Sequence, residues 1–157
     1  MAPSFSIRIA ATARDFDQGR ILFQEYVDQL GVDLSFQHVP AELETIDRQY
    51  SSPDGALLLL YYNSEIAGCT GIRRLEREIT ELKRMYIRPA FRGAGLGAKL
   101  LQSAIDRARA LGYKKIRLDT LADMHAAQTL YRSFGFYIIP PYCYNPLEGT
   151  IYMELRL

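Results

Sequence analysis

The chain switches between two hydrophobic periods, and the switches predict its elements. Residues 5–10 set Phe5, Ile7 and Ile9 between polar neighbours, the two-residue period of a strand. The period then lengthens. Phe16, Ile21 and Leu22, Tyr26 and Leu30 recur at helical spacing behind a capping Thr12 and ahead of Gly31, so a helix is expected to run to about residue 30. A weaker helical pattern covers 40–50. The run Ala56-Leu-Leu-Leu-Leu-Tyr-Tyr62, the turn Asn63-Ser64-Glu65 and residues 66–73 read as a β-hairpin. A strand at 79–87 leads through a glycine-rich loop into a helix whose face carries Leu96, Leu100, Leu101, Ile105, Ala108 and Leu111, closed by Gly112. A strand at 115–121, a helix from a capping Asp123 to about 134 closed by Gly135, and strands at 136–142 and 150–157 complete the pattern.

The order β-α-α-β-β-β-α-β-α-β-β predicts an α+β fold: a mixed, mostly antiparallel central sheet with helices on both faces. The 79–121 portion is a β-α-β unit, so its two strands are expected to be parallel with a right-handed crossover. No repeat or linker divides the sequence, and 157 residues suit a single domain over 1–157.

Composition narrows the partners. A net charge of +1 argues against nucleic acid or an anionic membrane as the main partner. The charge is nevertheless uneven: residues 73–99 hold eight basic side chains against three acidic ones. That segment surrounds the glycine loop, as an anionic ligand would favour. The first residues lack a signal-peptide h-region, and no apolar run approaches the ~20 residues that span a bilayer. Cys69 and Cys143 stand far apart, which reads as a reduced, cytoplasmic protein. Two histidines, His38 and His125, form no metal-ligand cluster, so no metal is expected.

The candidate chemistry lies in Arg92-Gly93-Ala94-Gly95-Leu96-Gly97. Three glycines in five positions at a helix start expose backbone N–H groups at the positive end of the helix dipole, a seat for phosphate or pyrophosphate. A Walker loop requires Gly-Lys-Ser/Thr, but Ala98, Lys99 and Leu100 follow Gly97. A dinucleotide fingerprint fits formally from Gly93 to Ala98, with Asp119 in the ribose position. Against it, residues 88–92 separate the loop from its strand, and Glu81, Lys83 and Arg84 interrupt a strand that should be continuously apolar.

The run Glu-Leu-Lys-Arg-Met-Tyr-Ile-Arg-Pro-Ala-Phe-Arg-Gly-Ala-Gly-Leu-Gly (81–97), with its Arg92-x-x-Gly95-x-Gly97 core, resembles the acyl-CoA-binding signature of the GNAT superfamily of N-acetyltransferases. A second block, Leu118-Asp-Thr-Leu…Ala127-Gln-Thr-Leu-Tyr131-Arg-Ser-Phe-Gly135-Phe136, is similar to the strand, helix and "LY…GF" segment that follows in that family. The resemblance implies the acyl-CoA N-acyltransferase fold and an enzyme that moves the acetyl group of acetyl-CoA to a primary amine of a small molecule or peptide within a ternary complex. A CoA-binding regulatory module without turnover, or an acyltransferase using a longer acyl-CoA, stays open beside it.

By the same resemblance, backbone N–H groups of Arg92, Gly93, Ala94, Gly95, Leu96, Gly97 and Ala98 would cradle the pyrophosphate. The pantetheine arm would lie along Met85, Tyr86 and Ile87, where the strand splays from its parallel neighbour. One N–H there would polarise the thioester carbonyl, an oxyanion contact worth about 3 kcal/mol. Tyr131 matches the tyrosine that protonates the leaving thiolate; otherwise it is a core aromatic. Glu81, eleven residues before Arg92, is the candidate base, with an ion pair to Lys83 or Arg73 as the competing role. Alternation places Glu81, Lys83, Met85 and Ile87 on one strand face. Met124 stands where relatives often carry a cofactor-contacting asparagine. Residues 36–38 and the aromatic segment 137–146 are candidate acceptor walls. Family members are often homodimers, although no interface signal stands out here.

Overall fold

The computed structural model describes residues 4–157. Its elements, in order, are β1 (Phe5–Ile9), α1 (Ala13–Leu30), α2 (Val39–Glu44), α3 (Ile46–Gln49), β2 (Ala56–Tyr62), β3 (Glu65–Glu76), β4 (Ile79–Ile87), α4 (Leu96–Ala110), β5 (Lys115–Thr120), α5 (His125–Ser133), β6 (Tyr137–Ile139) and β7 (Ile151–Arg156). One seven-stranded sheet runs β1-β2-β3-β4-β5-β7-β6, with β7 inserted between β5 and β6. Only β4 and β5 are parallel neighbours; every other pairing is antiparallel.

Local chemistry explains most boundaries. Thr12 caps α1: its hydroxyl accepts the Asp15 N–H at 3.1 Å, while the Asp15 carboxylate accepts the Thr12 N–H, also at 3.1 Å. Gly31 ends that helix in the left-handed region at φ 63°. The expected helix over 40–50 is two short helices that meet at Thr45. The last helix begins after Met124 rather than on a side-chain cap from Asp123. The strand expected over 136–142 covers only Tyr137–Ile139, because Pro140 and Pro141 have no N–H to continue a ladder.

The apolar run of β2 is buried on both faces. Leu58 and Leu60 join the layer under α4 and α5, while Leu57 and Leu59 join the layer under α1 and α3. A central strand covered on both sides has no reason to alternate. Both helix layers therefore lean on β2 to β5, and the functional residues cluster where β4 and β5 part.

Candidate active site

The glycine loop is built to leave its amides free. Gly93 and Gly95 sit at φ 89° and 73°, where a Cβ would be strained. Gly95 caps α4 without any side-chain hydrogen bond. No intramolecular acceptor meets the N–H groups of Gly93 through Ala98. These orphan donors and the α4 dipole converge on one spot, a geometry suited to a pyrophosphate. The loop forms one end of a groove of about 520 Å³. Of the ten residues expected to hold the cofactor, nine line this groove: Met85, Tyr86, Ile87, Arg92, Gly93, Gly95, Leu96, Gly97 and Ala98. Ala94 does not line it and is exposed on the loop. A Cβ at Gly97 would stand 3.5 Å from Leu130 Cδ2 and 3.9 Å from Met85 Cε, so glycine keeps the channel between those side chains open. Size, free amides and an apolar middle fit a CoA-type ligand.

Beyond the loop the groove follows β4. Pairing with β5 covers only Ile79, Thr80 and Glu81, so from Leu82 onward the β5-facing edge of β4 has no strand partner. A strand edge left open in this way can pair with an extended ligand arm. Arg92 Nε donates to the Ile87 carbonyl at 2.9 Å, which takes up part of that residue's accepting capacity.

Alternation fails in the middle of β4. The register against β3 shifts between Cys69 and Gly71, and Arg84 takes φ 55°, so one extra residue bulges out. Arg84 consequently joins Glu81 and Lys83 on the α1–α3 side, whereas Met85 and Ile87 pack toward the α4 layer. The expectation that Glu81, Lys83, Met85 and Ile87 share one face is corrected by this bulge. Its effect is to aim Met85 and Ile87 into the groove while Lys83 and Arg84 face a different space.

Helix α1 forms the opposite groove wall, a role the apolar stripe did not signal. Glu25 binds Arg88 at 2.6 Å and accepts the Tyr86 hydroxyl at 3.2 Å; Gln29 donates to Tyr86 at 3.0 Å and accepts Arg92 Nη2 at 3.2 Å. The guanidinium of Arg88 holds the Glu25 carboxyl below the usual range. Polar residues at 25 and 29, one helical turn apart and flanking Tyr26, were the available signal.

Tyr131 lies behind the groove rather than on it. It is buried among Phe136 and the α4 layer, and its hydroxyl points at Met85 Sδ, 3.9 Å away. Burial pushes its phenol well above the usual value, so it stays protonated as a donor. A second tyrosine, Tyr26, lines the groove itself, with burial pushing its phenol up to about 12. Met124 also lines the groove, supplying apolar wall where relatives often place an amide.

Glu81 is tied down. Arg73 Nε and Nη2 both reach its Oε1 at 3.3 Å, and the Tyr142 hydroxyl donates to Oε2 at 2.8 Å. It lines neither the groove nor the smaller cavity beside it. That cavity, about 40 Å³, meets the groove at Tyr26, Leu30 and Met124. Its polar walls are Gln37, Lys83, Arg84, Asp119, Thr120 and Asn145. The two segments expected as acceptor walls do converge: Gln37 and Asn145 share the cavity, and the Phe36 and Tyr144 rings meet edge-to-face at 6.0 Å. Arg84 is anchored by Glu42 at 3.0 Å, both side chains being buried, and the Tyr50 hydroxyl donates to the same carboxylate. Burial alone would raise the Glu42 carboxyl, but the hydrogen bonds and charge of Arg84 hold it below the usual range. His38 lines neither space; Cys69 is buried in the sheet and Cys143 is exposed, both as free thiols.

A free-amide glycine loop opening a helix, beside parallel strands that part within a mixed sheet, defines a CoA-binding domain of the acyl-CoA N-acyltransferase kind. Comparison with known proteins agrees. Residues 20–136 match the Acetyltransferase (GNAT) family. An uncharacterized N-acetyltransferase of Schizosaccharomyces pombe is 38% identical, over 100% of this chain and 98% of its own. In fold, an acetyltransferase from Streptococcus agalactiae superimposes with a TM-score of 0.78 at 19% identity, over 98% of each chain. The PaiA N-acetyltransferase of Thermoplasma acidophilum, solved with coenzyme A, gives 0.76 at 18% identity, over 98% of this chain and 99% of that one. The chain belongs to the GNAT acetyltransferase family, and is an acyltransferase. Among the described residues no helix is long and apolar enough to cross a membrane.

Proposed function

We propose that this protein transfers the acetyl group of acetyl-CoA to a primary amine of a small molecule, both substrates being bound at once. The observation that carries this reading is the meeting of two spaces along β4: an apolar groove ending in free amides, and a small polar cavity joined to it at Tyr26, Leu30 and Met124. Acetyl-CoA would supply the activated acetyl group. Residues 92–98 would hold its phosphates, and the open edge of β4 at Met85 to Ile87 would hold its arm and polarise the carbonyl.

Direct attack requires an amine that has lost a proton, and a group that stabilises the departing thiolate. Asp119 suits the first task, because its carboxylate faces the acceptor cavity. Glu81 suits it less well, since Arg73 and Tyr142 already occupy its oxygens; its role would be to position those two side chains. Tyr131 suits the second task. With its phenol raised by burial, it would donate a hydrogen bond to the thiolate from beside Met85 rather than surrender its proton beforehand.

The test is calorimetry with acetyl-CoA together with thiol release over a panel of amines. Saturable binding and acceptor-dependent release are expected; absence of acetyl-CoA binding refutes the reading. Asp119→Asn should lower kcat about 100-fold, and Glu81→Gln much less. The reverse order would return the base to Glu81.

A further inference from the structure

Charge pairing around the small cavity is incomplete in one specific way. Arg84 has Glu42, and Arg73 has Glu81. Lys83, only 8% exposed, lines the cavity, and its ammonium has no ion pair or hydrogen bond to any described residue. Asp119 lines it too, its Oδ2 accepting the Asn145 amide at 3.0 Å, without a cationic partner in ion-pair contact. Gln37 and Thr120 complete the wall, but their Oε1 and Oγ1 atoms are sealed beneath its surface without a partner among the described residues.

Folds avoid such arrangements unless something else completes them. An ammonium withdrawn from water costs several kcal/mol unless an anion or strong acceptors receive it. Burial does lower the basicity of Lys83, while the nearby charges of Glu81 and Asp119 oppose that loss. A wall bearing one unpaired cation and one carboxylate lacking a cation is complementary to a zwitterion.

We infer that the acceptor is a small primary amine carrying a carboxylate close to its nitrogen, that is, a free amino acid, with its carboxylate on Lys83 and its ammonium on Asp119. This rests on the transferase reading above and names its substrate class. Size agrees: about 40 Å³ holds roughly three water-sized groups, enough for a compact charged head. The remainder of the molecule would then lie toward the mouth shared with the groove. A carboxylate would complete Lys83 by charge-assisted hydrogen bonds. Polyamines and arylamines would leave Lys83 unpaired and add no anion.

The experiment is calorimetry of CoA-loaded protein with a panel of free L-amino acids and the same amino acids as carboxamides, run beside thiol release with acetyl-CoA. At least one free acid should bind about 30-fold or more tighter than its amide, as expected when a buried charge pair is broken. Lys83→Met should abolish that preference without changing acetyl-CoA affinity. Equal binding of acid and amide, no binding of any free acid, or a preference that survives Lys83→Met overturns the inference. Acids that bind with that preference but without thiol release would keep the amino acid as the ligand of this cavity while sinking the transferase reading, and with it the acceptor role. Release with polyamines or arylamines but not with free acids would do the opposite.

Discussion

The groove proposed for the donor and the small cavity proposed for the acceptor are built by opposite means. The groove's polar end is backbone: consecutive amides of residues 93–98, left free because two left-handed glycines and a side-chain-free cap withhold every competing acceptor. The cavity is all side chain, assembled from Gln37 after α1, Lys83 and Arg84 in β4, Asp119 and Thr120 in β5, and Asn145 before β7. A backbone site tolerates many sequences and recognises what every CoA carries. A side-chain site from distant segments can change one residue at a time, which is where selectivity among acceptors is decided.

Three changes probe that contrast, from the largest effect down. Glu42→Gln strips the buried Arg84 of its counter-charge at the back of the cavity. Loss of about 3 kcal/mol of stability is expected, a fall in Tm on the order of 10 °C by calorimetric scan, with acetyl-CoA affinity nearly intact. The same carboxylate sets a pH signature. Glu42 and Glu154 titrate lower in the folded protein than unfolded, so their stabilisation is present above the ordinary carboxylate range and is lost as pH falls through the folded values. Wild-type Tm should drop on acidification, and less steeply in Glu42→Gln. A Tm profile unchanged by the substitution would detach this ion pair from the fold.

Tyr131→Phe comes next. It should lower kcat about 100-fold with little change in KM for acetyl-CoA if, as proposed, the hydroxyl acts on the leaving group and only the ring packs. Tyr26→Phe is the control, since that hydroxyl lies on the wall common to both spaces; a larger loss there would transfer the donor role to Tyr26. The smallest effect is expected from Gly97→Val. Its methyls would crowd Leu130 and Met85 and weaken CoA binding about tenfold, with Tm nearly unchanged. Tight CoA binding in that variant would mean that the ligand arm runs elsewhere.

Legibility in the sequence follows the same divide. The element order, the Thr12 cap, Gly31 as helix terminator and the glycine loop could be read from local spacing, because helix caps, turns and glycine loops act over a few residues; of the ten residues implied by the family resemblance, nine line the groove. The Arg84 bulge escaped, since it is fixed by register against β3, and with it the true facing of Met85 and Ile87. Glu81 illustrates the limit. The sequence left it between a base and an ion-pair partner of Lys83 or Arg73; the fold pairs it with Arg73, and Tyr142, which no nearby residue announces, takes its other oxygen.

By itself the sequence determined the α+β order, the glycine loop that opens a helix and membership of the GNAT family, since each is written in contiguous residues. The tertiary structure alone decided which charges are paired. The ion pairs around the site join side chains 8 to 63 residues apart, and no local pattern carries that information. Lys83 looked like one basic residue among eight; folding left it buried and unpaired.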